Sequence, residues 1–340
     1  MYRGKIKEIF KLCRLPSSIG ASITPAIGAL SVKGYLLNIS HFFPLLLLGV
    51  FFNILGVVLN DFIDIHFDEF SKEFKDRPLV KKTVSRKAVF LIIIIGLVII
   101  FSISIFFFWN LLAILILIIS LDLGVLYNIF SKKLIGSDIF LASSMAFFCL
   151  FGALAVSDNI HSLNEINHLT WIVVVIIFIY VFIMNILEGN LKDVNFDRKA
   201  GALTIPVFLG VKTGKIMHVT ISFKTMIVGL KILLVFFIFS TFIFFNLIFW
   251  FWQIIILILF AFVMLWATFK ILYMSSFNIL TFAFYGRIHG VFSYLVIPIM
   301  LMRFIGINWT LFLILFTASC PLIFNYLLYG KSLTPVVFIK

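Results

Sequence analysis

Charged residues are scarce in this chain, and acidic residues are the scarcest of them. Of its 340 residues only 12% are charged, 14 being acidic and 27 basic, whereas 63% are hydrophobic. An average soluble domain carries about 25% charged residues. This composition excludes an ordinary soluble globular protein and indicates a chain that crosses a membrane several times.

Two further absences narrow the fold class. The apolar runs show no alternation of polar and apolar residues, which excludes an outer-membrane barrel and leaves helices. Cysteine is rare, and Cys13, Cys149 and Cys320 lack the spacing of a metal site, so we expect inert, buried thiols. We therefore predict an all-α polytopic membrane protein that forms a single domain over residues 1–340.

Ten apolar runs approach the ~20 residues that a helix needs to cross the bilayer core. They cover residues 16–33, 43–61, 87–108, 110–129, 138–157, 170–189, 220–244, 246–269, 288–306 and 309–329. Whether the last two runs both span is left open, so the prediction is nine or ten transmembrane helices.

The basic residues collect in alternate loops, beginning with the N-terminal segment 1–15. By the positive-inside rule this side of the membrane is cytoplasmic. The net charge of +13 then reflects the basic cytoplasmic loops and does not indicate nucleic-acid binding. We expect membrane lipids and no nucleic acid as partners, and a place in the plasma membrane.

Two groups of acids each close a long apolar run on the predicted cytoplasmic side. The first acid cluster comprises Asn60, Asp61, Asp64 and Asp68, and the second comprises Asn190, Asp193 and Asp197. Residues four apart share a helix face, so Asn60, Asp64 and Asp68 form one ladder. Carboxylates at a membrane edge are costly unless a cation holds them together, and hard oxygen ligands suit Mg²⁺. Two facing clusters predict a divalent-metal site suited to binding a diphosphate.

Basic residues also lie at the ends of these apolar runs. Arg14 precedes the first run, Arg77 follows the first acid cluster, Lys132 and Lys133 follow the fourth run, and Arg198 follows the second cluster. Guanidinium and ammonium groups bind phosphate oxygens by charge-assisted hydrogen bonds. Together these residues would surround one diphosphate.

These motifs resemble those of one known family. The pattern Asn60-Asp61-x-x-Asp64-x-x-x-Asp68, followed by Arg77-Pro78-Leu79, resembles the first signature of the UbiA superfamily of intramembrane prenyltransferases. The segment 192–198, followed by Thr204-Ile205-Pro206, resembles the second signature, although Asn190 stands where many relatives carry aspartate. Tyr127-Asn128 with Lys132-Lys133 resembles the family's tyrosine-and-lysine motif.

The resemblance implies a UbiA-like helical bundle around a central, lipid-accessible cavity, with active-site loops at 62–86 and 190–218. It implies Mg²⁺-dependent transfer of an isoprenyl group from a polyprenyl diphosphate to an aromatic or lipid-precursor acceptor, in quinone or membrane-lipid biosynthesis, with release of diphosphate.

The resemblance also implies roles for individual residues. The metal ligands would be Asn60, Asp61, Asp64, Asp68, Asn190, Asp193 and Asp197, and the catalytic residues would be Asp64, Asp68, Asp193 and Asp197 with Tyr127 beside the reacting carbon. The diphosphate would be bound by Arg14, Arg77, Lys132, Lys133 and Arg198.

Two alternatives remain at this stage. Within the family, an archaeal-type geranylgeranylglyceryl phosphate geranylgeranyltransferase fits the same motifs. Outside it, a divalent-cation transporter would also gather acids in a membrane. Transport, however, favours acids near the bilayer midplane on broken helices, whereas both clusters here lie at one face beside basic residues.

Overall fold

The chain is a bundle of helices, and the computed structural model describes residues 2–65, 77–157, 163–214, 216–244 and 249–330. Within these ranges there is no strand, and a single β-bridge pairs Lys212 with His218. The helices are α1 (Tyr2–Leu12), α2 (Leu15–Ala21), α3 (Thr24–Lys33), α4 (Ile39–Ile63), α5 (Arg86–Phe107), α6 (Leu111–Phe130), α7 (Asp138–Ala155), α8 (His168–Met184), α9 (Leu191–Lys199), α10 (Ile205–Phe208), α11 (Ile221–Phe244), α12 (Phe251–Leu272) and α13 (Ile279–Tyr329).

The apolar runs become helices because hydrocarbon offers no partner for backbone N–H and C=O groups, which must bond within the segment. Polar side chains mark where several helices begin. Ser85, Asn110 and Asn167 each accept a hydrogen bond from a backbone N–H three residues later, at the starts of α5, α6 and α8.

Among the described residues, nine helical stretches are long and apolar enough to cross a membrane. The last of these, α13, is broken at Gly306, where φ is 82° and ψ is 161°. The Thr310 hydroxyl lies 3.4 Å from the Pro298 carbonyl oxygen, although twelve residues of straight helix would rise about 18 Å. The chain therefore turns back at Gly306, and the arms 279–305 and 307–329 correspond to the two final runs expected from the sequence.

The first predicted span, 16–33, is not one helix. It is divided into α2 and α3 at Ser22 and Ile23, and Pro25 lies in the first turn of α3. Proline lacks the N–H that a helix interior needs, and its ring collides with the preceding turn, so the helix restarts there. The stretch 15–36 is nevertheless long and apolar enough to cross a membrane, so the predicted span is confirmed although two helices build it.

The first acid cluster lies at the end of a helix, whereas the second lies within a continuous helix. Helix α4 stops at Ile63, and the Asp64 N–H caps it by bonding to the Asn60 carbonyl oxygen. Helix α8, in contrast, continues through a π-helical turn, Asn185–Asn190, directly into α9. The first part of the predicted loop 190–218 is thus helical, and the second acid cluster lies on that helix.

Glycines allow α3 and α7 to approach one another very closely. A Cβ on Gly28 would collide with the backbone carbonyl of Cys149, and one on Gly152 would collide with the carbonyl of Pro25. Membrane helices often associate through such small residues, because dispersion contacts replace the hydrophobic effect there. This contact lies in the main core of the bundle, beside Phe148 and Phe151.

We expect Gly28→Ala to destabilise the bundle by about 1–3 kcal/mol, because the added methyl group forces two backbones apart. Gly229→Ala in α11 is the matched control, since a Cβ at that position meets nothing within 4 Å. Thermal unfolding in detergent, followed by intrinsic fluorescence, should show a clearly lower midpoint for Gly28→Ala alone. Equal midpoints for the two variants would contradict the close α3–α7 contact.

Candidate active site

The first acid cluster lies where α4 ends. Asp61 and Asp64 are buried, and Asn60 is half-buried on the same face as Asp64. The Asn60 amide donates to an Asp64 carboxylate oxygen at 3.2 Å, as the four-residue spacing predicts. Asp68, the last member of the expected ladder, lies outside the described residues.

Asp61 joins three separate segments of the chain. Arg14, between α1 and α2, forms an ion pair with its carboxylate, and Arg77 donates to the same oxygen at 3.3 Å. Asp61 therefore orients two arginines rather than standing in line with the other acids. Arg14 itself has φ 43° and ψ 46°, a left-handed conformation that is uncommon away from glycine and often found at functional sites.

The second acid cluster lies on and just before α9. Asp193 is half-buried, whereas Asp197 is 2% exposed. One Asp197 oxygen lies 3.5 Å from the Thr204 hydroxyl, and the other, Oδ1, is buried without a hydrogen-bond partner among the described residues. A buried carboxylate oxygen without a partner is costly and points to a missing cation or water.

The two clusters face each other. Asp197 interacts electrostatically with both Asp193 and Asp64, and Lys132 interacts with all three carboxylates. Burial raises the pKa of the Asp64 carboxyl above its ordinary value, and the nearby Lys132 and Arg77 oppose that rise. Arg14 and Arg77 also act on Asp193 from across the site. The result is a set of mutually close acids edged by cations.

These carboxylates fit a loosely held Mg²⁺ better than a closed metal cage. Among the described residues, no three carboxylate, imidazole or thiol groups stand close enough to enclose an ion by themselves. Mg²⁺ typically keeps several waters and binds through one or two carboxylates plus substrate phosphates. The unpartnered Asp197 oxygen, opposite Asp64 and beside Asp193, is a donor of the right kind.

A network of polar side chains lies next to the acid clusters, and of its members only Tyr127 and Asn190 were predicted from the sequence as site residues. Tyr127 exchanges hydrogen bonds with the Asn185 amide at 2.9 and 3.1 Å. Asn185 and Asn190 both donate to the same oxygen of buried Asp138, at 2.6 and 2.7 Å. Because a π-turn bonds residue i to i+5, residues five apart share a face, so one aspartate can bind both amides.

This network bears on the interpretation of two residues. The Asn190 amide nitrogen donates to Asp138, which orients this side chain, and its carbonyl oxygen keeps the capacity to bind a metal, so the ligand role of Asn190 stays a prediction. Asp138 was not selected as a site residue from the sequence. Acids are common in the first turn of a helix, where they complement the helix dipole, so the position of Asp138 in the sequence gave little signal of a site.

The remaining predicted cations divide into two groups. The Lys132 ammonium lies 5.4 Å from the centre of the Phe196 ring, at the site. Lys133 is exposed, and the Arg198 guanidinium donates to the Val211 carbonyl. Arg198 therefore braces the segment that follows α10 instead of turning toward the carboxylates.

Comparison with known proteins identifies relatives of this arrangement. The model of the UbiA prenyltransferase family matches residues 21–276. Digeranylgeranylglyceryl phosphate synthase from Haloquadratum walsbyi (strain DSM 16790 / HBSQ001) is 24% identical over 213 residues, which are 62% of this chain and 70% of that protein.

Solved structures share the fold. A digeranylgeranylglyceryl phosphate synthase gives a TM-score of 0.64 at 20% identity, covering 89% of this chain and 99% of that one. A UbiA homologue from Aeropyrum pernix K1 gives 0.69 at 18% identity, over 85% of this chain and 98% of that one. A homologue from Archaeoglobus fulgidus, bound to GPP and Mg²⁺, gives 0.61 at 16% identity, over 86% and 99%.

The resemblance inferred from the two acid clusters is thereby confirmed, since the family model covers well over half of the chain. The helical architecture agrees with it. The chain belongs to the UbiA prenyltransferase family and is an intramembrane prenyltransferase.

Proposed function

We propose that this enzyme transfers a polyprenyl group from its diphosphate to the hydroxyl of a lipid-precursor acceptor, with Mg²⁺ held between the two acid clusters. The observation that carries the proposal is the convergence of Asp64, Asp193 and Asp197 around Lys132 at one end of the bundle. The likeness to a digeranylgeranylglyceryl phosphate synthase in sequence and in fold supports a lipid acceptor over an aromatic one.

Asp64, Asp193 and Asp197 would hold the metal, together with Asp68 from beyond the described residues. Mg²⁺ bound there would supply positive charge that stabilises the departing diphosphate. Asn60 supports the arrangement by donating to Asp64, which fixes one carboxylate oxygen and leaves the other for a cation. The likeness to a homologue bound to GPP and Mg²⁺ supports this choice of metal.

The arginines would bind the diphosphate oxygens that face away from the acids. Arg14 and Arg77 are both held by Asp61, so their planar groups are oriented before substrate arrives. Lys132 adds a third charge from the end of α6. Preorganised cations of this kind act most strongly in a site that excludes water.

Breaking the allylic C–O bond leaves a cation that water would quench, so the reacting carbon needs a dry pocket. Tyr127 suits a position beside that carbon because its hydroxyl is occupied by Asn185 and is not free to attack. The basic residues around the acid clusters support a cytoplasmic position for this end, and we propose the plasma membrane as the site of the reaction.

Asp193→Asn should lower prenyl transfer by at least about 100-fold, a typical loss when a charge-stabilising group is removed from an active site. The measurement is diphosphate release and product mass, with radiolabelled prenyl diphosphates of ten to twenty carbons. Geranylgeranylglyceryl phosphate and a hydroxybenzoate serve as alternative acceptors. EDTA should stop the reaction and Mg²⁺ should restore it.

Asp122→Asn is the control, because Asp122 is an exposed acid in the middle of α6. It should retain near-normal turnover. Wild-type-like activity of Asp193→Asn would refute the metal site, and prenylation of only the hydroxybenzoate would refute the lipid acceptor.

Asp64→Asn should stabilise the metal-free protein while abolishing transfer. Burial raises the folded-state pKa of Asp64, so its ionised form costs folding free energy above that pKa, and the cost disappears as pH falls below the ordinary value. In EDTA near neutral pH, the variant should therefore unfold at a higher temperature than wild type, and the difference should shrink in acid.

Adding Mg²⁺ with a non-hydrolysable prenyl thiodiphosphate should raise the unfolding temperature of wild type but not that of Asp64→Asn. A lower unfolding temperature for the variant in EDTA would show that ionised Asp64 is stabilised in the empty site.

A further inference from the structure

Three ionisable side chains meet inside the bundle, on another side of the helix that carries the second acid cluster. Glu188 lies in the π-turn, Lys231 in the middle of α11 and His289 in α13. The Glu188 Oε1 atom is 2.7 Å from His289 Nδ1, and Lys231 Nζ donates to Ser293 Oγ at 2.9 Å. Lys231 also interacts electrostatically with Glu188.

The position of Lys231 shows how unusual this cluster is. It is completely buried within the inward stripe of α11, where its neighbours Phe223, Ile227, Leu234 and Ile238 are buried and apolar. Ionisable residues in membrane helices are costly and commonly mark functional sites. None of the steps derived for the metal, the diphosphate or the allylic cation uses these side chains.

Glu188 is the member of the cluster that reaches open space. Its side chain is 23% exposed, whereas that of His289 is fully buried. The carboxylate lies against two glycines of α13. A Cβ on Gly290 would lie 3.3 Å from Oε1 and 2.9 Å from the Met184 methyl group, and one on Gly286 would lie 3.4 Å from Oε2. The glycines thus provide the room that the carboxylate occupies.

The hydrogen bonds define the chemistry of the carboxylate. When Glu188 is ionised, its carboxylate can only accept, and His289 Nδ1 then carries the proton of their bond. His289 Nε2 then holds a lone pair, and it is buried without a partner among the described residues. The imidazole orients Oε1, nearby Lys231 favours the negative charge, and Oε2 retains its capacity to accept.

Glu188 is also at the right depth for the reacting carbon. It precedes Asp193 by five residues, part of them in the π-turn, which is about one turn of helix toward the membrane interior. Lys192 lies between them and interacts electrostatically with both. A diphosphate bound near Asp193 would direct its prenyl chain inward, so the first prenyl carbon would lie near the level of the π-turn.

We propose that Glu188 accepts the proton of the acceptor's hydroxyl group, and that His289 and Lys231 position it to do so. The inference rests on the proposed function. As the C–O bond to the diphosphate breaks, its electron pair leaves with the diphosphate. The acceptor oxygen forms the new bond to the first prenyl carbon, and the hydroxyl proton passes to Glu188.

Glu188→Gln tests the proposal because it keeps the shape of the side chain and the contact with His289 while removing the basic oxygen. The full-length enzyme in lipid nanodiscs would be given geranylgeranyl diphosphate and either of two acceptors with equal prenyl tails. One is geranylgeranylglyceryl phosphate, an alcohol, and the other is a phenol, whose proton is lost near pH 10.

Loss of a general base typically costs about 10²–10⁴-fold, so transfer to the alcohol should fall by that factor. Transfer to the phenol should fall far less, since its proton leaves more readily. Binding of a prenyl thiodiphosphate should be unchanged. Glu165→Gln, the same chemical change at an exposed position outside the membrane helices, is the control.

Equal losses of transfer to both acceptors, together with weaker donor binding, would show that the cluster only holds the helices together. That result would overturn the proposal. Alcohol transfer within a few-fold of wild type would overturn it too, while leaving prenyl transfer intact. A wild-type enzyme that prenylates neither acceptor would overturn the proposed function as well. If Glu188→Gln does not fold, Glu188→Asp should show the same acceptor-dependent loss, because its base is displaced by one methylene group.

Discussion

The whole site depends on one constraint, which is that the negative charge of each buried carboxylate must be compensated. Ionised acids at the edge of hydrocarbon are too costly to remain unpaired, so each must meet a cation, a donor or a metal. Asp61 meets Arg14 and Arg77, and this ion pair ties the N-terminal segment to the end of α4 and the loop after it. Lys132 acts on Asp64, Asp193 and Asp197 together, and Arg77 also acts on the first two; three carboxylates so close to one another favour a divalent ion as a further partner.

The π-turn between α8 and α9 brings the partners of the buried acids into position. It places Asn185 and Asn190 on one face, where Asp138 binds both, and so ties the second acid cluster to the start of α7. The same turn directs Glu188 toward α13, on a different side. A regular α-helix would rotate residues five apart by about 140°, because it has 3.6 residues per turn, and could not meet both requirements.

The sequence predicted much of this structure, and the misses have physical causes. Apolar runs gave the helices because membrane length and backbone satisfaction admit few alternatives, and the spacing of Asn60 and Asp64 gave their contact. Asp138 was missed because its partners, Asn185 and Asn190, come together only through a π-turn, which has no sequence signature comparable to a cap. A different reason explains why the sequence did not predict the group of Glu188, Lys231 and His289. These residues are far apart in the sequence and come together only in the fold. Taken singly, each looks like an ordinary charge near a helix end or an isolated polar residue in an apolar run.

Under the proposed function, the two polar regions of the bundle would meet two separate demands of one reaction. Departure of the diphosphate needs positive charge at the end of the bundle, which Arg14, Arg77 and Lys132 would provide. Attack by a hydroxyl needs a proton acceptor deeper inside, where water is excluded, and a lone glutamate there would simply become neutral. Lys231 opposes that tendency electrostatically, and the contact with His289 orients the carboxylate. A site for an aromatic carbon nucleophile would not need a basic group fixed at this depth before attack, and this difference favours an oxygen nucleophile.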